Sequence, residues 1–162
     1  QSAVISNLTV TSIAGDGTYI RVDKVSYREQ MQESVPPLRE YLQSHPTYSL
    51  PHDAIYFSID PESNWDYVDG QSLQLSLALA LITTNPDYSL NDSVAMTGEV
   101  TSEGTVEQVS HVREKAGAAQ RAGYDLFLVP PNQHVTVDGI RVIEVETVED
   151  AAEYAIINST AP

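Results

Sequence analysis

Apolar and polar positions follow two periods along this chain, and the places where the period changes divide it into elements. Residues 4–10 alternate, with Asn7, Thr9 and Thr11 interleaved, as a strand exposed on one face would. Gly15-Asp16-Gly17 supplies a turn, and 18–25 reads as a second strand, so residues 1–26 are expected to form an N-terminal hairpin. The period lengthens over 27–44, where Met31, Val35, Leu38 and Leu42 mark one face of a helix. Pro36-Pro37 should break or restart that helix, because proline removes a donor and its ring meets the preceding turn. Residues 54–60 (AIYFSID) are apolar and β-prone nearly throughout, which predicts a central strand. A polar loop with Trp65, the only tryptophan, follows over 61–68.

Residues 71–84 predict a helix that is apolar on almost every side and therefore buried, ended by Asn85-Pro86-Asp87. Residues 94–101 and 105–109 read as a hairpin across Ser102-Glu103-Gly104. A second helix spans 111–122 and stops at Gly123. Strands follow at 125–129 and 140–145, and a closing helix at 147–157 opens on Thr147 with Asp150 three residues on, a capping-box pattern. Strands and helices mix without regular alternation. The fold class expected is α+β, with mixed sheets and β-hairpins packed against several helices in one domain over 1–162.

Composition narrows the function. The chain has 162 residues, 41% of them hydrophobic, enough for a buried core. Eight basic residues against 23 acidic ones leave a formal charge of −15, which argues against nucleic acid and anionic membrane surfaces, since both require cationic patches. The absence of cysteine removes disulfides, thiolate catalysis and cysteine-ligated zinc together. No apolar run approaches the roughly 18–20 residues of a membrane span. The chain begins at Gln1 rather than Met, so a processed protein or an excised domain is expected, with any anchor or partner domain outside it. Asn7, Asn91 and Asn158 stand in glycosylation sequons.

Few residues are left to carry chemistry. His45, His52, His111 and His134 are far apart and lack metal-ligand spacing; each reads as a surface or loop histidine. No Gly-x-Ser-x-Gly and no Gly-x4-Gly-Lys-Ser/Thr is present, so neither a serine–histidine triad nor a phosphate loop of that type has support. Asp60 and Glu62 read as a solvated acidic face. No metal or cofactor is expected. What remains is Ser72 at a helix start, Lys115 on a second helix and Thr97 on the strand between them in sequence. This suits a serine nucleophile paired with a neutral lysine, but by residue type alone a helix-start serine and an exposed helical charge are the favoured reading.

The motifs around those residues resemble the proteolytic domain of Lon, a family of Ser–Lys peptidases. The family's Asp-Gly-Pro-Ser-Ala-Gly matches Asp69-Gly70-Gln71-Ser72-Leu73-Gln74, and its Met-Thr-Gly-Glu strand matches Met96-Thr97-Gly98-Glu99. Its Gly-Gly-x-x-Glu-Lys helix start matches Ser110-His111-Val112-Arg113-Glu114-Lys115. The spacings, 25 residues from Ser72 to Thr97 and 43 from Ser72 to Lys115, follow the family pattern. The likeness is densest over 54–132, the expected catalytic core. The N-terminal segment Val4-Ile5-Ser6-Asn7-Leu8-Thr9-Val10 is similar to an archaeal Lon-like group without an ATPase, secreted or membrane-tethered.

The resemblance implies an ATP-independent serine endopeptidase acting on peptides or unfolded proteins, outside the cytoplasm or tethered to a membrane. In it Ser72 is the nucleophile, Lys115 the general base and Thr97 the residue orienting the lysine. Asp69 is an accessory, and the N–H groups from Gly70 through Gln71 to Ser72 form the oxyanion hole. It also implies assembly into a ring. Gln71, Leu73 and Gln74 are larger than the family's residues and are expected to narrow the cleft, while Ser110-His111 in place of Gly-Gly is expected to reshape the turn before the lysine helix. A catalytically inactive module of the same fold, serving peptide binding or oligomeric assembly, is the alternative. An acidic surface glycoprotein domain is a third.

Overall fold

The seven residues AIYFSID form the strand on which the N-terminal layer is built. In a computed structural model of the chain, the structure describes residues 7–15, 18–20, 26–27, 29–48, 50, 54–60, 67–68 and 71–159. Its N-terminal part contains strands β1 (Asn7–Ile13), β2 (Thr18–Ile20) and β3 (Ser26–Tyr27), helix α1 (Glu29–Ser44), and strands β4 (Ala54–Asp60) and β5 (Tyr67–Val68). A 3₁₀ turn, Gln71–Leu73, runs into helix α2 (Gln74–Ile82), followed by β6 (Tyr88–Leu90), β7 (Val94–Met96), β8 (Glu99–Val100) and β9 (Val106–Glu107). The chain closes with α3 (Val112–Arg121), β10 (Leu126–Val129), β11 (Arg141–Glu144), α4 (Val148–Ala155) and β12 (Ile156–Asn158). The fold is α+β.

β4 is central, as its composition predicts, but among the described residues β1 and β2 do not pair with each other as the expected N-terminal hairpin would. β1 pairs antiparallel with β4 and β2 pairs parallel with the other edge of β4, giving the order β1-β4-β2. A turn at Gly15 lets the chain reverse, yet the apolar strand 54–60 gains more by having partners on both sides. Residues 1–6 and 21–25 of the two expected strands lie outside the described residues.

Helix α1 also departs from expectation, since Pro36 and Pro37 lie inside it without ending it. Both prolines are exposed, whereas Val35, Leu38 and Leu42 are buried. Lost donors on a solvent-facing side leave carbonyls that water can serve, so packing of the opposite face carries the helix through.

The C-terminal part is three-layered, and strand alternation shows why. β10 lies between β7 and β11, parallel to both. Phe127 and Val129 pack on one face with Val112, Ala116 and Ala119 of α3. Leu128 points to the other face, joining Val94, the α2 leucines and Ala151, Ala152 and Ala155 of α4. The buried residues of α3 recur at 112, 116 and 119, one helical face, while α2 is buried from Gln74 to Ile82 at every position but Ser76.

Two further expectations are corrected at element ends. The strand expected over 94–101 is interrupted at Thr97 and Gly98, whose N–H groups bond Leu128 O at 3.0 Å and Ser72 O at 2.9 Å. Only β8 and β9 form the hairpin, with Val100 opposite Val106. The closing helix stops at Ala155, and Ile156–Asn158 pairs antiparallel with Tyr88–Leu90. β-branched residues at a helix end find a strand partner there instead of another turn. The N-terminal cap of α4 is as expected: Thr147 Oγ1 accepts from Asp150 N at 3.1 Å and Asp150 Oδ2 accepts from Thr147 N at 3.1 Å.

Candidate active site

Strand phase brings Thr97 and Lys115 together. Along β7, Val94 and Met96 face the α2 side and Ala95 faces the α3 side, so the next odd position, Thr97, emerges toward α3 at the carboxyl end of the strand. Lys115 lies one turn past Val112 on α3, beside the buried stripe. Its Nζ donates to Thr97 Oγ1 at 3.2 Å. The Thr97 hydroxyl in turn donates to Ser72 O at 3.0 Å. Thr97 is buried, Ser72 and Lys115 are half-buried, and Gln71 is exposed.

Ser72 is held through its main chain. Its carbonyl takes both Thr97 Oγ1 and Gly98 N, and Leu75 N donates back to Gly98 O at 3.1 Å. Ser72 sits in the 3₁₀ turn whose last residue, Leu73, is the N-cap of α2. The positive end of a buried helix therefore lies one residue beyond it, where negative charge is favoured. Asp69 and Gly70 lie outside the described residues, so Gln71 and Ser72 are the described members of the expected oxyanion segment.

Burial lowers the pKa of Lys115 from its ordinary value, because a half-buried ammonium loses hydration. Two residues past Thr97, Glu99 is shifted the other way: burial raises its carboxyl, and Glu107 directly across the hairpin adds like charge.

Two of the substituted residues after Ser72 turn toward the core. Gln74 is buried, and its Oε1 accepts Val100 N at 2.7 Å. Leu73 packs against the main core. His111 keeps a left-handed backbone, φ 60° and ψ 33°, at the N-cap of α3, so the turn retains a glycine-like shape despite its side chain. Its carbonyl accepts Lys115 N at 3.1 Å, which sets the phase of the helix that carries the lysine.

The roles of two residues in this arrangement escape sequence reasoning. One is Gln74, a lone amide opening an apolar run, and that isolation is the signal that could have found it. The other is Gly98, where a Cβ would stand 2.7 Å from Val106 Cγ1 and 3.3 Å from Leu75 Cβ; only its place in the Met-Thr-Gly-Glu run hints at the close approach.

Comparison with known proteins gives the family. Residues 28–158 match the model of the Lon protease (S16) C-terminal proteolytic domain. A Lon protease of Koribacter versatilis is 32% identical over 102 residues, covering 57% of this chain and 12% of the relative. An archaeal Lon protease of Thermoplasma acidophilum is 32% identical over 59% of this chain and 16% of its own length. A Lon protease of Azospirillum brasilense is 25% identical over 96% of this chain and 20% of its own. The chain thus spans a fifth or less of each of these relatives. It belongs to the family of Lon protease C-terminal proteolytic domains.

Proposed function

We propose that this chain is a serine-type endopeptidase in which Ser72 is the nucleophile and Lys115 the general base. The observation that carries the reading is the run from Lys115 Nζ through Thr97 Oγ1 to the main chain of Ser72, with burial depressing the lysine pKa. In this reading neutral Lys115 takes the Ser72 hydroxyl proton as Oγ attacks the scissile carbonyl. The tetrahedral intermediate collapses when the resulting ammonium returns that proton to the leaving amine, and an acyl-enzyme remains. Lysine then deprotonates the water that hydrolyses the ester. Thr97 orients the amine. The oxyanion is held by N–H groups of the 70–72 segment near the start of α2, with Asp69 as an accessory.

The substrate class is an extended peptide or unfolded protein. In this reading the steps above use no nucleotide, and the working form is a ring of several copies. A non-catalytic module drew its support from bulk after Ser72; that support weakens because Gln74 is turned into the core. The test is cleavage of an unfolded protein read by mass spectrometry, comparing wild type with Ser72→Ala and Lys115→Ala. Wild type should cut, with a rate that rises with pH as the lysine loses its proton. Both variants should be folded and at least about a thousandfold slower. Equal rates in all three would overturn the assignment.

A further inference from the structure

We propose that Gln74 is a positioning residue for the Ser72–Thr97–Lys115 cluster. Its side-chain oxygen, by accepting the Val100 N–H, holds β8 against the start of α2 and so sets where the Thr97 hydroxyl meets the lysine. The catalytic consequence rests on the function proposed above, whereas the positioning itself does not.

The argument comes from the two edges of β8. Thr101 N donates to Thr105 O at 3.0 Å, so the odd positions of this strand turn their polar groups toward β9. Even positions must then point away, since successive residues of a strand direct their N–H groups to opposite sides. Of the main-chain groups that face outward there, Gly98 N, Gly98 O and Val100 N are taken by residues 72–75. Gly98 N donates to Ser72 O at 2.9 Å, Gly98 O accepts from Leu75 N at 3.1 Å, and Val100 N donates to Gln74 Oε1 at 2.7 Å.

The first two bonds use main chain. The third requires a side chain, because beyond Leu75 the chain is coiling into α2 and its carbonyls serve the helix. Val100 is buried, so its N–H left without a partner would cost about 1–3 kcal/mol. Gln74 reaches it with an acceptor oxygen, and the donor character of Val100 N fixes which end of the amide faces it. A glycine, as in the family pattern, supplies no such acceptor. Thr97 and Gly98 are the residues immediately before β8. A strand freed at Val100 is therefore free to shift the hydroxyl that joins Ser72 O at 3.0 Å to Lys115 Nζ at 3.2 Å.

The test compares the full chain with Gln74→Met, which keeps length without the amide oxygen, Gln74→Asn, which is one methylene too short, and Gln74→Glu, which keeps an acceptor. Three readouts are taken: hydrogen exchange at the Val100 amide, NMR titration of the Lys115 side chain, and kcat and KM on an unfolded protein. The Met and Asn variants should exchange at Val100 at least about tenfold faster. Their lysine should titrate at higher pH, because a loosened strand admits water, and the rising limb of the rate profile should move with it. Their kcat should fall about tenfold with KM within about twofold. Gln74→Glu should restore kcat to within about threefold of wild type. An unchanged lysine titration and kcat in a folded Met or Asn variant, even one of reduced Tm, would reduce Gln74 to a structural residue and overturn the proposal. If Ser72→Ala cuts as fast as wild type, the proposed function fails, and the exchange and titration readouts still decide the role of Gln74.

Discussion

Burial that eases deprotonation of Lys115 also taxes the fold. Its folded pKa lies below the ordinary 10.5, so between the two values the unfolded chain holds a proton that the native state has released, and stability rises with pH through that window. Below the folded value both states are charged and the full cost of the half-buried ammonium is present. Lys115→Met should therefore melt at a higher temperature than wild type near pH 7, with the advantage shrinking as pH approaches 10.5. Thermal melts at both ends of that range check it, and a variant less stable at neutral pH would contradict it. Four residues earlier, His111 carries a left-handed backbone that costs an L-residue about 1–2 kcal/mol. His111→Gly removes that cost at the expense of glycine's greater unfolded-state freedom. A net gain of about 0.5–1 kcal/mol in urea titrations is expected, with the hydrogen bond from Lys115 N to His111 O kept.

At the scale of elements, the site depends on a strand that is broken on purpose of packing: β7 ends so that Thr97 and Gly98 can serve Leu128 and Ser72 before β8 begins. Gly98 sits tightly between Leu75 of α2 and Val106 of β9. Gly98→Ala places a methyl 2.7 Å from Val106 Cγ1, and overpacking of this kind costs about 1–3 kcal/mol. The substitution should also lower peptidase activity beyond the loss of folded protein, because the displaced residue donates to Ser72 O. Since the obstructing atom belongs to a side chain, adding Val106→Ala should recover part of the activity, which a double-mutant cycle measures. Recovery would separate a displaced hairpin from a lost hydrogen bond.

Across the whole molecule, Glu149 ties the end of α1 to the start of α4. Tyr41 Oη donates to Glu149 Oε1 at 2.5 Å, and His45 Nε2 meets the same oxygen at 2.7 Å. His45 Nδ1 accepts from Thr47 N and Tyr48 N at 3.2 and 3.1 Å, so the ring proton sits on Nε2 and is donated to the carboxylate. Burial pushes the Glu149 carboxyl up, but the hydrogen bonds from Tyr41 and His45 outweigh it and leave the group below its ordinary 4.5. Its contribution to stability is thus present above pH 4.5 and is lost as pH falls through the folded value. With the side chain 43% exposed, solvent screening limits the effect. Glu149→Gln should cost about 1 kcal/mol at pH 7 and less as the medium is acidified, read from Tm against pH. A loss that persists undiminished at pH 3 would place the effect in packing instead.

Much of this protein is written locally. A β-prone apolar run locates β4, a helix-forming apolar run locates α2, Gly123 in its left-handed conformation ends α3, and Thr147 with Asp150 caps α4 because a capping box needs only residues three apart. The order and spacing of the serine, threonine and lysine motifs carry the family in the same way. Pairing and packing between distant segments are different. That β4 enters between β1 and β2, that Ile156 and Ile157 leave a helix to join β6, and that Pro36 and Pro37 are carried by the buried face opposite them all depend on partners remote in sequence. The same holds for Gln74, whose residue type suggests a polar helix start until Val100, 26 positions away, supplies the donor that draws it into the core. A side chain's period and propensity are properties of its neighbours along the chain, whereas the partner of a buried polar group is decided only when the layers close.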